Sequence, residues 1–151
     1  MVRRIVGAAL AALIVGTVAA PVAGATMPFG NYDVQSNRWT DRSWVWAVYP
    51  CEVPGGLDDL SGDCVLISAL DRPHFFGRQY YGGTARLVDG SYSFSTDVSD
   101  GLRCPHGFMP SHDTYTWDAN TLVGVIESRF DVGCFDGPAG MNTWTFALVR
   151  M

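Results

Sequence analysis

Polar and apolar side chains alternate with a period of two along much of this chain. Residues 91–95 place serines on one face and aromatic rings on the other, and residues 114–117 and 143–148 repeat the pattern. Such alternation is typical of half-buried β-strands. The remaining strands are predicted over residues 30–35, 43–49, 65–70, about 75–81, 84–88 and 122–130.

Short polar turns separate these segments. Asp89-Gly90 lies between two predicted strands and indicates a type I′ hairpin turn, and Asp118-Ala119-Asn120 indicates a second tight turn. About eight short strands with hairpin-length connections predict an all-β fold, an antiparallel up-and-down barrel or a sandwich. A closed or nearly closed barrel is favoured, because closure removes the exposed strand edges that promote aggregation.

The first 25 residues contain a continuous apolar run instead of this alternation. Arg3 and Arg4 precede an apolar run over residues 5–20, and Ala23-Gly24-Ala25 follows it. A basic start, an apolar run and a small-x-small site predict a signal peptide over residues 1–25 and one secreted β domain over residues 26–151. A membrane anchor is the alternative, but the run is shorter than the roughly 20 residues of a spanning helix. We expect a secreted protein, extracellular or in the cell envelope, with no membrane span after cleavage.

All four cysteines lie after the predicted cleavage site, and an even number in an exported chain predicts two disulfides. Three pairings are possible, and we favour Cys51–Cys64 and Cys104–Cys134. The first would close the connection between two adjacent strands, and the second would tie two hairpins together. A zinc site is the competing interpretation, but close Cys/His spacing is lacking, so we predict no metal.

The charge of the chain narrows the possible partners. The ten basic residues are all arginine, and without Arg3 and Arg4 eight arginines face fifteen acids, a formal charge of −7. This acidic balance argues against nucleic acid as a partner, because nucleic acids attract clustered cations. The absence of lysine excludes Schiff-base catalysis. No cofactor is predicted.

Ser111-His112-Asp113 contains the three residue types of a hydrolase triad. Neighbouring residues of an extended chain point to opposite faces, so these three cannot converge. We therefore predict no catalytic residues and favour binding over catalysis. Two other groups could hold a ligand or a cation, and solvated loops are the simpler interpretation of both: the loop histidines His74, His106 and His112, and the acidic residues Asp58, Asp59 and Asp63.

Aromatic residues are the one class in excess, with five Trp, six Tyr and eight Phe. The alternation directs one set of rings to a single interior: Trp44, Trp46, Tyr92, Phe94, Tyr115, Trp117, Trp144 and Phe146. An eight-stranded barrel is just wide enough to be filled by such rings or to hold one small ligand. If the interior holds a ligand, its candidate binding residues are Trp44, Trp46, Tyr92, Tyr115, Trp117 and Trp144.

A series of Gly, Trp and Cys positions supports a resemblance: Gly30-x-Tyr32, Ser43-Trp44-x-Trp46, Gly62-x-Cys64-Val65, Tyr115-x-Trp117, Leu122-x-Gly124, Gly133-Cys134 and Phe146-x-Leu148-x-Arg150. The chain resembles small secreted two-disulfide proteins of mycobacteria and related actinobacteria. It is also similar to the extracellular sensor region of some mycobacterial serine/threonine kinases. The resemblance implies an exported, disulfide-bonded β domain of the bacterial envelope and transfers no catalytic residue.

The expected function is an exported binding module for an apolar or aromatic small molecule or for an envelope component. The alternative is a structural or protein-interaction domain with a solid core, whose function lies in loops such as 72–78 and 105–113. A hydrolase is a remote third possibility.

Overall fold

Nine β-strands account for most of the chain in the computed structural model, which describes residues 25–39, 44–72 and 79–151. The strands are β1 Gly30–Ser36, β2 Trp44–Val53, β3 Leu57–Asp59, β4 Cys64–Asp71, β5 Tyr81–Val88, β6 Ser91–Cys104, β7 Gly107–Asp118, β8 Val123–Phe130 and β9 Gly140–Arg150. One short 3₁₀ turn lies at Cys134–Asp136. Within the described ranges, no helix is long and apolar enough to cross a membrane.

Eight of the strands close into an antiparallel barrel. Each barrel strand pairs with the next one in the order β1, β2, β4, β5, β6, β7, β8 and β9. The last strand, β9, pairs with β1 and closes the barrel. The short β3 pairs only with the end of β2, so it extends that strand as a hairpin outside the barrel. The predicted all-β, up-and-down fold is confirmed, and it is a barrel rather than a sandwich.

Both predicted turns are confirmed. Asp89 and Gly90 have φ angles of 50° and 79°, as a type I′ turn requires. The Asp118 carboxylate accepts hydrogen bonds from the backbone N–H groups of Thr121 at 2.7 Å and Asn120 at 3.0 Å. These bonds, chiefly the one from Thr121, lower the pKa of Asp118, because they stabilise its charged form.

Some strand boundaries differ from the prediction. The predicted strand over 75–81 lies partly outside the described residues, and β5 begins only at Tyr81. β6 continues to Cys104, well past the predicted end at residue 95, and it passes through a bulge between Val98 and Leu102. The short β3 was not predicted. Residues 1–24 lie outside the described part of the chain, so the signal peptide stays a prediction.

The barrel centre is filled by aromatic rings. The fully buried Trp46 lies 5.3–5.6 Å, between ring centroids, from four other rings: Phe94, Tyr115, Trp117 and Phe146. The interior position of all eight predicted rings is confirmed; six are buried, whereas Trp44 and Trp144 are half-buried against the cluster. Edge-to-face packing of this kind stabilises a core beyond the area it buries.

One end of the barrel, called the plugged end here, is closed by residues 25–29. Met27 is 1% exposed, and its N–H donates to the Tyr92 hydroxyl at 3.0 Å. That hydroxyl donates in turn to the carbonyl of Gly62. At the opposite end, Arg38 follows β1 and enters the barrel. We call this the arginine end.

The two predicted disulfides are confirmed. Cys51–Cys64 joins the end of β2 to the start of β4 near the plugged end. Cys104–Cys134 joins the tip of the β6–β7 hairpin to the connection between β8 and β9. The first link therefore closes the connection between β2 and β4, and the second holds two connections at the arginine end together.

Candidate functional site

A buried ion pair lies inside the arginine end. Asp113 on β7 is fully buried, and its Oδ2 atom accepts a hydrogen bond from Arg38 Nη1 at 2.6 Å. Its other oxygen accepts one from Ser111 Oγ at 2.6 Å. A buried carboxylate requires such partners, because an isolated charge in an apolar interior is very costly.

Arg38 links opposite sides of this end. It reaches across from the β1–β2 connection to Asp113 on β7, and Nη2 also donates to the carbonyl of Gly101 on β6. Burial alone would lower the pKa of Arg38, but the charge and hydrogen bond of Asp113 outweigh burial and raise it. The guanidinium is therefore permanently charged and held in one position.

Two tyrosines lie next to the ion pair, between it and the aromatic rings at the barrel centre. Tyr81 and Tyr115 stack with their ring centroids 5.6 Å apart, and the Tyr81 hydroxyl accepts a hydrogen bond from Trp46 Nε1 at 3.0 Å. Burial raises the pKa of Tyr81 to about 12 and that of Tyr115 well above its usual value. Both side chains are consequently neutral at physiological pH and act through hydroxyl and ring contacts.

A cavity of about 400 Å³ lies beside this polar centre. Its apolar and aromatic walls come from six strands of the barrel: Val34, Trp44, Tyr81, Val98, Tyr115 and Ile126. Its charged lining consists of Arg38, Arg72, Asp33 and Asp100, and Arg72 pairs with Asp33 at 2.9 Å. Gln35 and Ser36 complete the polar part, so the lining is about half polar and half apolar or aromatic. A concave site of this size with fixed polar groups is typical of small-molecule binding.

The structure separates the predicted ligand-binding residues into two groups. Trp44 and Tyr115 line the cavity. Trp46, Tyr92 and Trp117 are buried in the packed core, and the half-buried Trp144 also lies outside the cavity lining. The cavity thus begins where the aromatic cluster ends.

Sequence reasoning missed the polar half of this site. Asp113 is in the same inward phase as Tyr115 and Trp117, and an inward carboxylate on a strand requires a buried partner. The alternation along β7 was therefore a signal in the sequence that Asp113 faces inward and has a buried partner. Arg38 carries no comparable signal, because its role depends on a contact with a residue 75 positions away.

The three triad-type residues do not converge. Ser111 and Asp113 are buried inside the barrel, whereas the half-exposed His112 lies outside and its Nδ1 is 2.8 Å from Asp97 Oδ1. The ring of His106 contacts Phe135 instead, at 5.8 Å between centroids. His74 lies outside the described residues.

The acidic loop forms a local turn. Asp59 Oδ1 accepts a hydrogen bond from the N–H of Ser61 at 3.0 Å, and bonds to Ser61 lower the pKa of Asp59. Across the described ranges, no group of three or more His, Cys, Asp or Glu side chains is arranged to hold a metal ion.

In comparisons with known proteins, no family model, curated protein or solved structure matches the chain.

Proposed function

We propose that this protein is an exported binding module that takes a small apolar or aromatic molecule into the cavity at the arginine end. The single observation that carries the proposal is the cavity of about 400 Å³ beside a fixed polar centre. Apolar walls would supply affinity through desolvation, at about 25 cal/mol per Å² before the costs of association. The polar centre would orient the ligand.

The packed rings at the barrel centre explain why this site lies at one end. Trp46 contacts four rings, so a guest at the centre would have to displace large buried side chains. Tyr81 and Tyr115 already line an open cavity at the arginine end. A preformed cavity lowers the cost of binding.

Export is part of the proposal and has its own support. Two disulfides are consistent with an oxidising, extracellular environment. Ala25 is exposed and Met27 is buried, so the predicted cleavage site lies close to a residue that packs into the barrel. A place in an actinobacterial envelope rests on the sequence resemblance alone.

The test places a larger side chain at the rim of the cavity. Val34 is half-buried and lines the cavity, whereas Val125 lies on the outer face of β8 and is 40% exposed. Thermal-shift and calorimetric titrations would use a panel of neutral aromatic and branched aliphatic molecules. We expect panel members to stabilise the wild type and Val125→Phe, and Val34→Phe to weaken their binding at least about tenfold by occupying their volume.

Two results would overturn the proposal. One is the absence of binding by every panel member. The other is equal binding by Val34→Phe and the wild type, which would place the guest elsewhere. Near-ultraviolet circular dichroism of both variants separates lost binding from lost folding.

A protein-interaction role is the second candidate, and one observation favours it. Phe135 is 73% exposed and has a left-handed backbone with a φ angle of 59°. The neighbouring Cys134 is fastened to Cys104. An exposed aromatic ring beside a disulfide is a suitable anchor for a protein partner. Capture of an envelope partner by the wild type but not by Phe135→Gly would support this role, and equal capture would exclude this ring as the anchor.

A further inference from the structure

The charged side chains around the cavity do not balance. Arg72 pairs with Asp33 at 2.9 Å, and Arg38 pairs with Asp113 at 2.6 Å. Asp100 also lines the cavity, and no basic side chain of the described residues lies within ion-pair distance of it. Among the side chains that the structure describes at the cavity, with Asp113 included, the carboxylates therefore outnumber the arginines by one.

A bulge places Asp100 at this position. Val98 pairs with Ser111 and Leu102 pairs with Met109, so three residues of β6 lie opposite Pro110 alone. Pro110 has no N–H to continue the ladder, which favours a break in pairing at this point. Bulges change the direction of side chains and are common beside functional sites.

Close packing fixes the bulge. A Cβ atom at Gly101 would lie 1.5 Å from Ser111 Oγ and 2.8 Å from Arg38 Nη2, so no larger residue fits. The Gly101 carbonyl accepts a hydrogen bond from Arg38. The residue after Asp100 is therefore held by the same ion pair that forms the polar centre.

We propose that the ligand is a small organic cation, a protonated amine attached to an aromatic or branched apolar body. This inference rests on the proposed function. The amine would pair with Asp100, and the apolar body would lie against Val34, Val98 and Ile126. The rings of Trp44, Tyr81 and Tyr115 line the same space.

An anionic ligand fits the site less well. Both arginines that the described part of the chain places at the cavity have a carboxylate partner, so an anion would have to compete with Asp33 or Asp113. It would also meet Asp100 and the overall negative charge of the chain, formally −5. Like charges brought together in a partly desolvated site are unfavourable.

Three probes with one apolar body and different end groups test the charge preference: 2-phenylethylamine, 2-phenylethanol and 3-phenylpropionate. Their affinities for the isotope-labelled protein would be measured by NMR titration. We expect the amine to bind about tenfold more tightly than the alcohol and the propionate to bind most weakly. Asp100→Asn should bring the ratio of the amine affinity to the alcohol affinity close to one.

Asp97→Asn is the matched control, because Asp97 lies three residues earlier on β6 and pairs with His112 outside the barrel. It should retain the preference for the amine. If Asp100→Asn does not fold, the salt dependence of the wild type supplies the test, since the preference should shrink as ionic strength rises.

The outcomes separate this inference from the proposed function. Equal affinity for amine and alcohol, or an amine preference that survives Asp100→Asn, would overturn the assignment of a cation while leaving a cavity that binds apolar molecules. Failure of all three probes, together with failure of the neutral panel, would overturn both.

Discussion

Arg38 and Asp113 form a buried ion pair of 2.6 Å across the arginine end of the barrel, although 75 residues separate them in the chain. The Asp113 carboxylate is fully buried and the Arg38 side chain is 10% exposed. Because Arg38 follows β1 and Asp113 lies on β7, the pair joins opposite walls of the barrel. It also forms one boundary of the cavity.

Replacing Arg38 by a neutral residue should lower the free energy of unfolding. Arg38→Met leaves a buried carboxylate without its counter-charge, so we expect a loss of about 3–5 kcal/mol in the free energy of unfolding, measured with urea. Adding Asp113→Asn to Arg38→Met should recover part of the loss, because a neutral amide needs no cation. Arg86→Met, an exposed site, should change stability by less than about 0.5 kcal/mol. Similar losses for Arg38→Met and Arg86→Met would contradict a stabilising role for the pair.

Two buried serines at this end should respond differently to alanine. Ser111 Oγ donates to the Asp113 carboxylate at 2.6 Å, whereas the hydroxyl of Ser128 has no hydrogen-bond partner among the described residues. We expect Ser111→Ala to cost about 1.5–3 kcal/mol, as for a hydrogen bond to a charged group. Ser128→Ala should be neutral or slightly stabilising, because it removes an unsatisfied polar atom. Equal losses in urea unfolding would count against this assignment of partners.

Buried tyrosines should make the protein sensitive to alkali. Burial raises the pKa of Tyr81 from 10.0 to about 12. A pKa that is higher in the folded state contributes stability that is complete below pH 10 and is lost as the pH rises from 10 towards 12. The stability difference between the wild type and Tyr81→Phe should therefore shift in favour of the variant across that range. A difference independent of pH would show that Tyr81 ionises as freely in the folded state as in the unfolded state.

Local sequence patterns predicted an all-β fold of about eight antiparallel strands, and the cost of exposed strand edges favoured a barrel over a sandwich. In a strand the side-chain period is two, so one inward residue such as Trp117 fixes the direction of Tyr115 and of its neighbours. Asp89-Gly90 fixed a strand boundary because its backbone requirement is specific to a tight turn. Cys51 and Cys64 lie at the facing ends of adjacent strands, whereas Cys104–Cys134 links two hairpins, and both predicted pairings are confirmed.

The cavity could not be predicted in the same way. Its position depends on the register around the closed barrel, which brings Arg38 to Asp113. The bulge over residues 99–101 interrupts the alternation that revealed the other strands, so the second half of β6 gave no strand signal. Whether rings such as Trp46 leave space between them depends on three-dimensional packing, which a period of two does not specify.

Backbone strain is concentrated beside the Cys104–Cys134 disulfide. Phe135 and Asp136 are successive non-glycine residues with φ angles of 59° and 56°. A left-handed backbone costs an L-residue about 1–2 kcal/mol, and glycine avoids most of this cost but loses more entropy on folding. Because the Phe135 ring is largely exposed and contacts only the ring of His106 among the aromatic groups described, we expect Phe135→Gly to raise the free energy of unfolding by about 0.5–1 kcal/mol.

Phe135→Ala is the control that separates backbone from side chain. Alanine removes the same ring but keeps the left-handed strain, so it should leave stability unchanged or slightly lower. A glycine variant no more stable than the alanine variant would show that the connection relaxes at little cost and stores no strain. If glycine is the more stable of the two, the native sequence retains a less stable residue at an exposed position. Such retention is expected where the ring itself is needed for contact with a partner.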